Sequence, residues 1–233
     1  MSRHTEFATK TIAGGRRRTP AGGTFCAALV AVALLAGCSA LPDRPTRPLV
    51  YDFGPGEVQP RAQTRIAPQP PLALADVDSA GVVDTAAVMF RFTYADAQQL
   101  RPYAMARWSL APSQLVRQRL RERLGRDRAV LNADDSAALQ RTDGKLPHIL
   151  RVQLEEFSQI FSAPTQSAGV VRLRVTLVDN RAEGERLLAQ RVVLVSRPAP
   201  TADAPGGVQA LAAATDAAAD EIAAWLPQVQ ATP

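Results

Sequence analysis

Three successive stretches between residues 148 and 197 constrain this chain more than any other feature. In residues 148–161, Leu150, Val152 and Leu154 alternate with Ile149, Arg151, Gln153 and Glu155. A period of two puts neighbouring side chains on opposite faces of an extended backbone, so the leucine–valine set is expected to face a core. Val171, Leu173, Val175 and Leu177 alternate in the same way with Arg172, Arg174 and Thr176. Residues 186–197 contain the apolar run 192–195, as expected for a more central strand. The polar turn at 179–185 reads as a hairpin loop, which makes the last two strands antiparallel. Phe157 and Phe161 lie an even number apart and are expected to share one face, first as core residues and second as a contact for lipid or a partner. Glu155 and Glu156 are expected on opposite faces.

Upstream, strands are expected at 49–53, 72–77, 87–94 and 103–108, from their β-branched and aromatic content. The period then lengthens. Residues 112–124 place Val116, Leu120 and Leu124 four apart, with proline at the start and glycine just past the end, the marks of a helix. Arg117, Arg119, Arg121 and Arg123 surround that stripe and read first as a solvated face, second as a surface for acidic lipid or a partner. After a proline- and glycine-rich loop at 198–207, a terminal helix is expected over about 208–226. Its stripe is Val208, Leu211, Thr215, Ala219, Ile222 and Leu226, and its alanines permit close approach to a sheet. The expected fold is α+β, a largely antiparallel sheet packed with two helices.

The N-terminal part is an export address. Basic residues precede an apolar run at 25–36, too short for a permanent membrane helix, which needs about 20 residues, but suited to a secretory signal. The run closes on Leu35-Ala-Gly-Cys38, which resembles a bacterial lipobox. Residues 1–37 are therefore expected to be a signal peptide and Cys38 the lipidation site, carrying diacylglycerol and palmitate. The three prolines of 38–48 make that segment a tether. Arg16–Arg18 suggests twin-arginine export, but the residues that follow are not hydrophobic. Ser39 favours the outer membrane by analogy with other lipoproteins. The folded domain is expected at 49–227, with 228–233 as a flexible C-terminus.

Processing changes the charge argument. The full chain is nominally +5, but the leader holds five basic residues against Glu6, so +4 leaves with it. The exported part is close to neutral, which removes the electrostatic case for nucleic acid. Cys26 leaves as well and Cys38 is acylated, so core packing must stabilise the domain without a disulfide. One histidine, His148, remains. No G-x-S-x-G elbow, clustered metal ligands or phosphate-binding loop is present. No cofactor and no enzymatic activity are expected.

Several pieces in order resemble a family. They are the lipobox, Tyr51-Asp-Phe-Gly-Pro55, Phe90-Arg-Phe92, and Tyr103 with Arg107-Trp108 leading through Ala111-Pro112 into the first helix. Leu150-Arg-Val-Gln-Leu-Glu-Glu-Phe157, Phe161 and a helix closing on Trp225-Leu226 complete the series. Over about 38–226 the chain resembles the ABC-type transport auxiliary lipoproteins, the family that includes paraquat-inducible protein C. The resemblance implies a non-catalytic lipoprotein accompanying a lipid transporter built from a periplasmic mammalian-cell-entry (MCE) subunit, a permease and an ATPase. It implies the periplasmic face of a Gram-negative membrane, with homo-oligomers by analogy. The competing expectation is an outer-membrane envelope-assembly lipoprotein, with a lipid-acting hydrolase third. Tyr103, Arg107 and Trp108 are the candidate partner-binding residues, because Trp and Arg are enriched at interface hot spots. The plainer alternative makes Trp108 a core residue and Arg107 an edge charge.

Overall fold

The computed structural model describes residues 47–56, 69–79, 81–135, 145–181 and 184–231. The leader, Cys38 and most of the tether lie outside the described residues. The chain divides into two units, 1–46 and 47–233, and the second is the one described below.

Eight strands and two α-helices follow in the order β1 (Leu49–Tyr51), β2 (Leu72–Ser79), β3 (Ala87–Phe92), β4 (Asp96–Trp108), α1 (Pro112–Leu124), β5 (Val130–Asn132), β6 (His148–Ala163), β7 (Gln166–Arg181), β8 (Gly184–Pro198) and α2 (Ala204–Gln230), with a 3-10 turn at Gly81–Asp84. The organising element is β6. One of its edges pairs with β7 along almost its full length. Its other edge is shared, with β2 on the first half and β3 on the second, both running parallel to it. β4 and then β1 extend the sheet beyond β3, β5 extends it beyond β2, and β8 closes the far side against β7.

The sheet is therefore mixed, and the expected largely antiparallel arrangement is incorrect. β1/β4, β2/β5, β2/β6 and β3/β6 are parallel; β3/β4, β6/β7 and β7/β8 are antiparallel. Hairpin signals reveal antiparallel neighbours because the turn is local. A parallel pair is joined by a long crossover, through α1 for three of the four pairs here, and leaves no local mark.

Both helices cover one face and share a single apolar core with it. Leu150, Val152, Leu154 and Phe157 of β6 meet Leu177, Val175, Leu173 and Val171 of β7 in register. A β-bulge is responsible for Phe157 joining this row. Leu154 pairs with Leu173 but Glu156 pairs with Arg172, so Glu155 is the extra residue. Without it, Phe157 would fall on the face opposite Leu154. The bulge also overturns the expected placement of the two glutamates. Both pair with arginines of the outer face, Glu155 with Arg174 at 2.6 Å and Glu156 with Arg91 at 3.4 Å.

The α2 stripe expected from the sequence is buried throughout, as are Val116, Leu120 and Leu124 of α1. α2 is longer than expected at both ends. Asp203 caps it, its side chain accepting a hydrogen bond from the Gly206 backbone at 2.9 Å, with proline in the first turn. Gly206 and Gly207 follow within the helix because a Cβ there would lie 2.1 Å from Thr201 O and from Gln159 Oε1, respectively. α1 has no cap of its own and borrows one. Asp84 accepts from the Ser113 backbone N–H at 2.9 Å and from its hydroxyl at 3.0 Å. Burial alone would raise the Asp84 pKa, but these hydrogen bonds and one from Ser79 hold it below the ordinary value.

The apolar run of β8 does not belong to a central strand. Among the described residues β8 pairs with β7 alone, and no strand lies along its other edge over fifteen residues. Val193 and Val195 point into the core, whereas Val192 and Leu194 are 45% and 55% exposed on the outer face. The continuous run arises from an edge strand that is apolar on both faces.

Candidate interaction surfaces

Tyr103, Arg107 and Trp108 all lie on β4, but the fold gives them separate surroundings. Trp108 is buried, with its ring edge-on to Phe53 at 5.8 Å and 5.5 Å from Phe157. Arg107 bends back on its own strand and donates to Tyr103 O at 2.7 Å and Ala106 O at 3.0 Å. The Tyr103 hydroxyl donates to Gln159 Oε1 at 2.8 Å, and Gln159 Nε2 donates to Ser167 Oγ at 2.8 Å. Gln159 is wholly buried under the first turn of α2, so Tyr103 joins β4 to the helix through it. No single exposed patch contains all three residues.

Burial, and after it the carboxylate of Asp203, push the Tyr103 pKa up to about 12. The neutral phenol is the form the fold holds. Its contribution to stability is complete below the ordinary tyrosine value near 10 and is lost as pH rises from there through 12. Urea midpoints are expected to fall across this interval, and to fall less in Tyr103→Phe. At neutral pH the same variant should be weaker by about 1–2 kcal/mol, because Gln159 Oε1 loses its buried donor.

The arginines of α1 are engaged within the fold. Arg117 pairs with Asp76 at 3.1 Å, Arg119 with Asp216 at 2.9 Å, and Arg123 with Asp220. Arg121 donates to Val130 O at 3.2 Å and to Asn132. Arg119 and Arg123 thus meet two acids spaced four apart on α2 and set the register of one helix against the other. The pairing adds little net energy, since burial raises the Asp216 pKa despite the neighbouring Arg119. A polar cleft of about 450 Å³ remains between the helices and the 53–56 segment, lined by Arg119, Glu122, Arg126 and Asp220 among others. His148, half-buried at the start of β6, lies 3.3 Å from Gln230 Nε2 through its Nδ1 and 3.8 Å from Asp179 through its Nε2. Among the described residues no group of three or more His, Cys, Asp or Glu is placed to hold a metal, and no helix is long and apolar enough to cross a membrane.

Two exposed features were not anticipated from the sequence. The first is the outer face of β7 and β8, where Val192 and Leu194 stand opposite Arg174 and Arg172 beside the outer edge. The second is a row of aromatic rings at the end of the sheet where β3 turns into β4 and β6 into β7. Tyr103 and Phe90 are 4.4 Å apart, Phe90 and Phe92 5.0 Å, Phe92 and Phe161 5.1 Å, and Phe92 and Tyr94 5.5 Å. The alternation of Phe90, Phe92 and Tyr94 in the sequence was the available signal. Its reading required knowing that β3 lies beside the end of β6.

Comparison with known proteins agrees with this architecture. The family of ABC-type transport auxiliary lipoprotein components matches residues 51–223, and the chain belongs to that family. Among solved structures, the protein XCC0632 from Xanthomonas campestris is similar, with a TM-score of 0.57 at 18% identity, covering 72% of this chain and 90% of that one. An uncharacterized protein gives a TM-score of 0.53 at 14% identity, covering 78% of this chain and 99% of that one. A hypothetical protein from Chlamydia trachomatis gives 0.45 at 9% identity, covering 71% and 99%. No curated protein matches.

Proposed function

We propose that this chain is a non-catalytic component of an MCE-type ABC lipid transporter, anchored through acylated Cys38 on the periplasmic face of the outer membrane. Membership of the auxiliary lipoprotein family carries this reading. The MCE subunit is its docking partner, and the outer face of β8 is the surface it uses. Among the described residues this fifteen-residue strand has no neighbour along its outer edge, and Leu187, Val192 and Leu194 are exposed on it. An edge of this length and composition is ready to be covered by a partner. Lipid is the cargo class, phospholipid or another, passed along the assembly with no bond made or broken by this chain.

The test is co-purification from detergent-solubilised membranes. The wild-type lipoprotein is expected to recover the MCE subunit. Val192→Asp combined with Leu194→Asp should lose most of that recovery while keeping its unfolding midpoint, because both side chains are exposed. Undiminished recovery would remove β8 from the interface. Recovery of an outer-membrane assembly machine in place of the MCE subunit would favour the envelope-biogenesis reading.

A further inference from the structure

The aromatic row at the β3–β4 end of the sheet lies outside the main core, although Phe161 at its base is buried. The main core includes Tyr103 at its margin but not Phe90, Phe92 or Phe161. The row lies on the helix-bearing face because Phe90 and Phe92 pair with Gln159 and Phe161 of β6. Phe161 forms its buried base, Phe90 and Phe92 are half-buried, and Tyr94 at the turn is 48% exposed. The Arg101 guanidinium lies over the Phe92 ring, 5.4 Å from its centre. Half-exposed aromatics carrying a polar atom or a cation at the rim suit the boundary between hydrocarbon and water.

The direction of the chain suggests which boundary. β1 runs parallel to β4, with Leu49 beside Ala106 and Tyr51 beside Trp108. β4 starts at the aromatic end and runs away from it, so β1 does too. The chain therefore reaches Leu49 from the aromatic side. Arg107, next to Ala106, pairs with Ala87, and Phe92 lies five residues further along β3, roughly 17 Å at the rise of a strand. The ten residues between Cys38 and Leu49 can extend about 31 Å in a proline-rich conformation. Reaching the opposite end of the sheet would require the tether to reverse direction first.

We infer that the β3–β4 end, with Tyr94 and Phe92 foremost, rests in the headgroup layer of the bilayer that holds the Cys38 acyl chains. The inference builds on the lipid-anchor reading above. It fixes the domain's orientation: the aromatic end faces the membrane and the start of β8 faces away, towards the transporter.

The experiment places a fluorophore at each end of the sheet. Acylated protein carrying Tyr94→Trp or, separately, Leu187→Trp is reconstituted into phosphatidylethanolamine–phosphatidylglycerol vesicles with brominated acyl chains. The signal of Trp108 and Trp225 is subtracted using the wild type. Bromine is expected to quench the fluorescence added by Tyr94→Trp and to spare that added by Leu187→Trp. Equal quenching of the two, or none at Tyr94→Trp, overturns the orientation. The anchor is tested separately by membrane retention of Cys38→Ala. Release of that variant with no quenching at position 94 leaves the anchor standing and removes only the docked orientation.

Discussion

Replacing Cys38 with alanine is expected to move the protein from the membrane fraction to the soluble periplasmic fraction. The variant keeps every residue of the folded domain and loses only the thiol that would carry diacylglycerol. Each buried methylene of an acyl chain contributes about 0.8 kcal/mol, so two or more long chains hold a protein durably where a single short one does not. Among the described residues no helix is long and apolar enough to span a bilayer. The aromatic end offers only a few half-buried rings. Fractionation followed by a high-salt wash provides the check. A Cys38→Ala protein that has lost its 1–37 leader and still stays with the membrane would contradict both the lipid anchor and the use of the 39–48 segment as a tether.

Gly169→Val is expected to be the most damaging single change within the domain. Gly169 lies on β7 directly beneath α2. A Cβ at that position would fall 2.5 Å from Ala210 C and from Leu211 N. These are backbone atoms of a helix that is itself locked against the sheet, so no flexible side chain can move to make room. Ordinary overpacking costs about 1–3 kcal/mol; here the helix must lift, exposing Leu211, Ala214 and the buried residues beyond, so the loss should reach or exceed the upper figure. Equilibrium urea unfolding measures it directly. Gln166→Val, at the exposed start of the same strand, should leave the midpoint nearly unchanged.

The sequence revealed most where a pattern is local. The stripes of both helices, the alternation in β6 and β7 and the β7–β8 hairpin were legible because each repeats within a few residues. The parallel pairings were not, because β2 and β3 recognise β6 from 70 or so residues away. The bulge at Glu155 was also hidden, and it alone reconciles the even-numbered leucines of β6 with the odd-numbered phenylalanines. The true start of α2 had a signal, an aspartate two residues before a proline, but the glycines behind it look like loop until Gln159 and Thr201 are seen occupying the space a side chain would need. The arginines of α1 read as a solvated or lipid-binding face; Glu122 and Asp127 stand within one turn of Arg119 and Arg123, but Asp76 on β2, Asp216 and Asp220 on α2 and the β5 oxygens come from other elements. The aromatic end remained illegible for the same reason, since its rings come from four separate strands and turns.

The central position of β6 has a consequence for export. On the proposed export through the leader, the N-terminus crosses first, and β1 to β5 and α1 emerge before the strand that both β2 and β3 require. Until about residue 163 has been delivered, Leu72, Leu74 and Val88 have no permanent cover, and the sheet cannot close before the last helix arrives. Non-local pairing of this kind slows folding and prolongs the exposure of sticky intermediates. The newly secreted polypeptide should therefore depend on periplasmic chaperones until translocation is almost finished.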